Sequence, residues 1–193
     1  CAVPLYKTSS FVFNNTEHAA NLFGLRELGN IYTRLMNPTT DVLEQRVAAL
    51  EGGAAALGIA SGTSAVFYSI INLAQEGDEI VSANNLYGGT YTQFSDILPK
   101  FGINVKLVDP NNPANFAAAI TDKTKALFCE SVSNPGLDVA DIRAIANVAN
   151  DHGIPLIVDS TFSTPYLTNP IEHGASIVIH SLTKWMGGHG NGI

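Results

Sequence analysis

Apolar and polar positions follow two alternating rhythms along this chain. Short apolar runs at Glu79 to Ala83, Asn104 to Val108, Lys125 to Glu130, Pro155 to Asp159 and Ser176 to His180 read as strands buried on both faces. Between them the period lengthens to that of helices. Val66, Ile70 and Leu73 share one face of a segment ending near Gly77, and further helices are predicted near Thr90 to Phe101 and near Asn115 to Ile120. Ile142, Ile145, Ala146 and Ala149 form the clearest apolar stripe, with Asp138 as the predicted cap and Gly153 as the stop. Strands that alternate with helices of about ten to fifteen residues imply an α/β fold, a mostly parallel sheet with helices on both faces.

The first 38 residues break this rhythm. Their short apolar patches lie among Gly- and Asn-rich stretches without a sustained period, so they read as an extended arm that needs a surface to lie on. A helix is predicted from Thr40, with Asp41 and Glu44 at capping-box spacing and Leu43, Val47 and Leu50 on one face, stopping at Gly52-Gly53. The apolar segment Ala54 to Ala60 then leads into Ser61-Gly62-Thr63-Ser64 as a further strand-to-helix turn. The expected organisation is an arm over residues 1–40 and one large domain over 41–193. The last residues, Gly190 to Ile193, fall in a loop with nothing to tie it down, which reads as a polypeptide cut short.

Composition narrows the class. A net charge of -7 and a pI near 5.0 repel polyanions and anionic membrane surfaces, which points to a small-molecule substrate rather than nucleic acid or membrane. No apolar run reaches membrane-spanning length. Two cysteines, one inside the apolar run at Cys129, are too few for a disulfide framework, and a reducing cytoplasm is the expected setting. The five histidines show no metal-ligand spacing, so no metal is expected.

In an open α/β sheet, ligands gather beyond the carboxyl ends of the strands. Ser61, Gly62 and Thr63 open a helix, where free N–H groups suit a phosphate; an ordinary serine cap is the plainer alternative. Asp159 ends a buried strand and needs a partner, either a pyridinium N–H or the turn through Ser160 and Thr161. Asn134 offers a ring oxygen a hydrogen bond, or marks an Asn-Pro turn. Tyr87, beside Gly88 and Gly89, suits stacking on a flat ligand and proton transfer, or simple packing on the core. Tyr32 and Arg34 in the arm could grip phosphate, or lie on the surface. Lys184 follows the last strand in Ser181-Leu182-Thr183-Lys184, where desolvation would free its amine to attack a carbonyl and the Ser181 and Thr183 hydroxyls would suit a phosphate. That set suggests a lysine holding pyridoxal phosphate as a Schiff base; a solvated lysine in a polar turn is the alternative.

Ordered blocks run through the chain: Tyr32-Thr33-Arg34 with Asn37-Pro38-Thr39, Leu50-Glu51-Gly52-Gly53, Ala60-Ser61-Gly62, Leu86-Tyr87-Gly88-Gly89-Thr90, Asn134-Pro135, Ile157-Val158-Asp159 and Ser181-Leu182-Thr183-Lys184. From Val3 to Ile193 they resemble the Cys/Met-metabolism family of pyridoxal phosphate enzymes, which has the aspartate-aminotransferase-like fold. The resemblance implies that Lys184 carries the cofactor, Asp159 pairs with the pyridine nitrogen, Tyr87 stacks on the ring and Asn134 reaches its phenolic oxygen. Gly62, Thr63, Ser181 and Thr183 would hold the phosphate, and Tyr32 and Arg34 would reach that of a neighbouring subunit in a homodimer or homotetramer with shared active sites. It further implies a C-terminal domain, absent here, whose arginine grips the substrate carboxylate.

Within the family, Lys184 to Gly190 and Glu17 to Phe23 resemble the branch that replaces the acetate of O-acetyl-L-homoserine with sulfide to give homocysteine for methionine biosynthesis. γ-Elimination and cystathionine synthesis are the alternatives, and Gly89, where lyases commonly carry a cysteine, disfavours elimination. A cofactor-binding fragment without catalytic competence is the reading outside the enzymes. The sequence departs from the family at Ser160, often asparagine, and at Thr63-Ser64, where a Gln- or Met-Ala pair is more usual.

Overall fold

A computed structural model describes residues 2–191; Cys1 and the last two residues of the loop read above as untied, Gly192 and Ile193, lie outside the described residues. The chain divides into two compact units, Cys1–Gly58 and Ile59–Ile193.

The second unit holds a five-stranded, all-parallel sheet: β1 (Glu79–Ala83), β2 (Asn104–Val108), β3 (Thr124–Glu130), β4 (Leu156–Asp159) and β5 (Ile177–Ile179), in the order β2-β1-β3-β4-β5. All five lie where the apolar runs predict them. Ala126, Leu127, Phe128 and Cys129 are consecutive and all fully buried, so β3 is covered on both faces. One covering layer is α5 (Ala114–Ala119) against β1 and β2 with α6 (Ile142–Asp151) against β3 and β4; α3 (Gly62–Ile71) packs on β5. Phe94 and Phe128 meet edge to face at 5.0 Å in the core. Cys129 is the small core side chain its apolar run implies, and burial pushes its thiol up to about 12.

The order of strands matters for function. The chain leaves β1 for β2 on one side and returns past β1 to β3 on the other, so the connections diverge between β1 and β3 and open a crevice at their carboxyl ends.

Several local expectations are corrected. Ala54 to Ala60 is not a strand; it pairs with no described strand and leaves Leu57 and Ile59 exposed, because apolar content alone supplies no ladder partner. The cap of α6 is Asp141, whose side chain accepts from the Ala144 N–H at 3.0 Å, whereas Asp138 accepts from the Ser133 hydroxyl and the Asn85 amide. The predicted helix near Thr90 is α4 (Gly88–Thr92) running on through a π-helical turn, Gln93–Ile97, and a 3-10 turn, Leu98–Phe101.

In the first unit, α2 spans Pro38–Glu51, two residues earlier than the Asp41/Glu44 spacing suggests. Asn37 caps it by accepting from the Thr39 N–H at 2.9 Å, Pro38 fits the first turn, and Gly52 ends it at φ 68°. The stretch read as arm also contains a short helix, α1 (Thr16–Phe23), capped by Asn15. Only Leu22 of that helix is buried.

Candidate active site

The residues singled out in the second unit sit at the end of β4, on the loops after β1, β3 and β5, and at the start of α3. Tyr87 follows β1, Asn134 follows β3, Asp159 ends β4, Ser181 to Lys184 follow β5, and Ser61 to Thr63 open α3. Every one of these segments is thus at a strand's carboxyl end or a helix N-terminus.

Their contacts close into a ring. The Tyr87 N–H donates to Glu130 Oε1 at 2.7 Å, and Glu130 is the register partner of Asp159 on the next strand. Asp159 Oδ1 accepts from the Thr161 N–H at 3.0 Å, and Thr161 Oγ1 accepts in turn from the Ser181 N–H at 2.9 Å. Ser181 lies against Gly62, where an added Cβ would stand 2.8 Å from the Ser181 Cβ. The circuit returns through Gln93, whose Nε2 donates to the Thr63 carbonyl at 3.1 Å from the helical run that starts after Tyr87.

Gly62 is therefore a matter of space. Only a residue without Cβ lets the first turn of α3 approach the segment after β5. Ser61 caps that helix by accepting from the Ser64 N–H at 3.1 Å, which leaves the Gly62 and Thr63 N–H groups, the first two of the helix, with no intrahelical acceptor. With the Ser181 hydroxyl beside Gly62, this is an arrangement of the kind that suits a phosphate.

Two acids stand on the other side. Glu130 is only 7% exposed; desolvation, reinforced by the charge of Asp159 and opposed by its backbone hydrogen bonds, pushes its carboxyl up to about 7. Desolvation likewise holds Asp159 above the usual carboxylate range, with the Thr161 hydrogen bonds and His180 pulling the other way. A carboxylate so placed gains from an N–H that carries positive charge, as a protonated pyridine nitrogen does. The phosphate cradle, the sunken acid and the amine-bearing loop fit pyridoxal phosphate.

Lys184 sits on a turn fastened to the site by its backbone: its N–H donates to the Ser181 carbonyl at 3.2 Å, and its carbonyl accepts from Gly188 at 2.8 Å. Its side chain is exposed, so the desolvation expected for it is not supplied by the described residues. At Gly89 the limit is also one of space. A Cβ there would lie 2.5 Å from Tyr87 Cε1, so the missing side chain makes room for the tyrosine ring itself.

Tyr32 and Arg34 belong to the first unit. There Arg34 Nη2 donates to the Tyr32 hydroxyl at 3.0 Å, and the guanidinium carbon lies 5.1 Å from the ring centroid.

Glu130 and Gln93 were not singled out by sequence. Both lie inside apolar or amphipathic segments, where a polar residue reads as a strand end or a solvated helix face; only the three-dimensional pairing exposes their place in the ring.

Comparison with known proteins identifies relatives over the whole chain. A family model described as Cys/Met metabolism PLP-dependent enzyme matches residues 1–193. An O-acetyl-L-homoserine sulfhydrylase of Leptospira meyeri is 58% identical over 192 residues, covering 100% of this chain and 43% of the relative. A homocysteine synthase of Schizosaccharomyces pombe is 53% identical, covering 100% of this chain and 45% of its own length. A crystal structure of a putative O-acetylhomoserine (thiol)-lyase from Campylobacter jejuni, which contains N'-pyridoxyl-lysine-5'-monophosphate, superposes with a TM-score of 0.97 at 45% identity, over 100% of this chain and 47% of that one. The chain spans less than half the length of these relatives.

Proposed function

Because the chain belongs to the Cys/Met metabolism family of PLP-dependent enzymes, we propose that it forms the cofactor-binding part of an enzyme that converts O-acetyl-L-homoserine and sulfide into L-homocysteine and acetate. The observation that carries this reading is the ring of contacts that links Gly62, Ser181, Thr161, Asp159, Glu130 and Tyr87, to which Lys184 is tied by its N–H on the Ser181 carbonyl. The sulfhydrylases and homocysteine synthase among its relatives supply the choice of substrate.

Pyridoxal phosphate, when bound, supplies a carbonyl for amines and an electron sink for the substrate's α-carbon. Lys184 would bind that carbonyl through Nζ and, once displaced by the substrate amine, remove the α-proton. Asp159 would hold a proton on the ring nitrogen, and the Asn134 side-chain amide would donate to the ring's phenolic oxygen. Tyr87 would stack on the ring and assist proton transfer. The Gly62 and Thr63 N–H groups, with Ser61, Ser181 and Thr183, would hold the phosphate. At the substrate's γ-carbon the C–O bond to acetate breaks and a C–S bond to sulfide forms. Tyr32 and Arg34 would complete the phosphate site of a partner in a homodimer or homotetramer, and the cytoplasm is the proposed setting.

The test is turnover by the full-length protein of O-acetyl-L-homoserine with sulfide, with cysteine, or with neither. Homocysteine from the first alone supports the reading. Cystathionine from the second, or 2-oxobutyrate and ammonia from the third, replaces it with cystathionine synthesis or γ-elimination.

A further inference from the structure

Glu130 is a costly residue to place where it is. It ends β3 in the core, 7% exposed, and among the described residues no lysine or arginine forms an ion pair with it. The acid nearest in register, Asp159, has the same sign. For stability alone an apolar residue would serve better at such a position.

What the side chain does is span two loops. Oε1 accepts the Tyr87 N–H at 2.7 Å, from the loop after β1; Oε2 accepts the Asn134 N–H at 3.1 Å, from the loop after β3. The two loops are those on either side of the point where the strand connections diverge. An outer clasp, the Asn85 amide on the exposed Asp138 at 3.2 Å, joins the same pair of loops.

We propose that Glu130 is a positioning residue: by accepting one backbone N–H on each carboxylate oxygen, it sets the spacing between Tyr87 and Asn134 so that one stacks on and the other edges the same cofactor ring. The inference rests on the functional reading above, for it is that reading that puts a ring between them. Only a glutamate meets the requirement. Glutamine would turn an NH2 toward one of the two N–H donors, and aspartate is a methylene too short to reach both.

The experiment uses the full-length protein and Glu130→Gln, which preserves shape, with Glu130→Ala beside it. Hydrogen exchange is followed with the cofactor removed and restored, and steady-state kinetics on the restored enzyme. In E130Q the amides of Tyr87 and Asn134 are expected to exchange about tenfold faster while those of Ile142–Asp151 keep their rates. kcat falls about 10- to 100-fold and KM stays within about twofold, the signature of misplaced rather than lost binding groups. Should E130A fail to fold, E130Q alone decides. Unchanged exchange at both amides, or loosening spread evenly through α6, overturns the proposal. If the loops loosen in E130Q but the parent enzyme makes no homocysteine, the positioning role stands and the functional reading falls; if the parent turns over and the loops hold in E130Q, the reverse is true.

Discussion

Glu130 and Asp159 are register partners at the carboxyl ends of β3 and β4, so two acids from neighbouring strands border one crevice. Desolvation raises both carboxyls, and for Glu130 the value reaches about 7 from an ordinary 4.5. A carboxyl whose pKa rises on folding binds more protons in the native state, so its contribution to stability is whole below the unfolded value and is lost as pH climbs through the folded one. Between pH 4.5 and about 7 the cofactor-free protein should therefore lose stability relative to Glu130→Gln, by at most about 3 kcal/mol. Urea midpoints of both proteins across this window measure it; parallel profiles would show that Glu130 does not titrate in this way.

Gly62→Ala tests the close approach of α3 to the segment after β5. The new Cβ would meet the Ser181 Cβ at 2.8 Å and the Ser181 Cα at 3.3 Å, and backbone cannot swing aside as a side chain can. A loss of about 1–3 kcal/mol in folding stability is expected from such overpacking. Cofactor affinity should fall with it, since the helix N-terminus must retreat from Ser181. Chemical denaturation and titration with pyridoxal phosphate read the two effects, and unchanged affinity would detach this helix from the phosphate.

Below the acids, three buried serines form a triangle: Ser163 Oγ lies 2.8 Å from both Ser131 Oγ and Ser160 Oγ, and Ser160 Oγ is 3.3 Å from Ser131 Oγ. Each hydroxyl can donate to one neighbour and accept from the other. Ser163→Ala should cost about 1–3 kcal/mol by leaving the remaining pair short of a partner. The triple alanine variant should cost far less than three times that, because no hydroxyl is then stranded. Additive losses in thermal or urea unfolding would refute a cooperative triangle.

Much of the fold could be read from the chain before any coordinates. The five strands and α6 lie where period and β-branched content put them, because packing on both faces imposes those patterns. Segments whose order depends on non-local partners could not be read this way: Ala54 to Ala60 is as apolar as a strand but pairs with none, and α1 buries a single side chain. In the site, the position of Tyr87, Asn134, Asp159 and Lys184 at or after strand ends was legible, and so was the helix start at Gly62. Glu130 and Gln93 were not, since their part lies in contacts across 43 and 30 residues of sequence. The exposure of Lys184 was not legible either, because neighbours in space, not in sequence, decide whether an amine is desolvated.

Borohydride reduction tests most directly whether Lys184 is the amine that carries the cofactor. The full-length protein is loaded with pyridoxal phosphate, reduced, digested and mapped by mass spectrometry. A single pyridoxyl adduct on the peptide containing Lys184, lost in Lys184→Ala, is the predicted result; an adduct on another lysine, or one that survives Lys184→Ala in full, would contradict it.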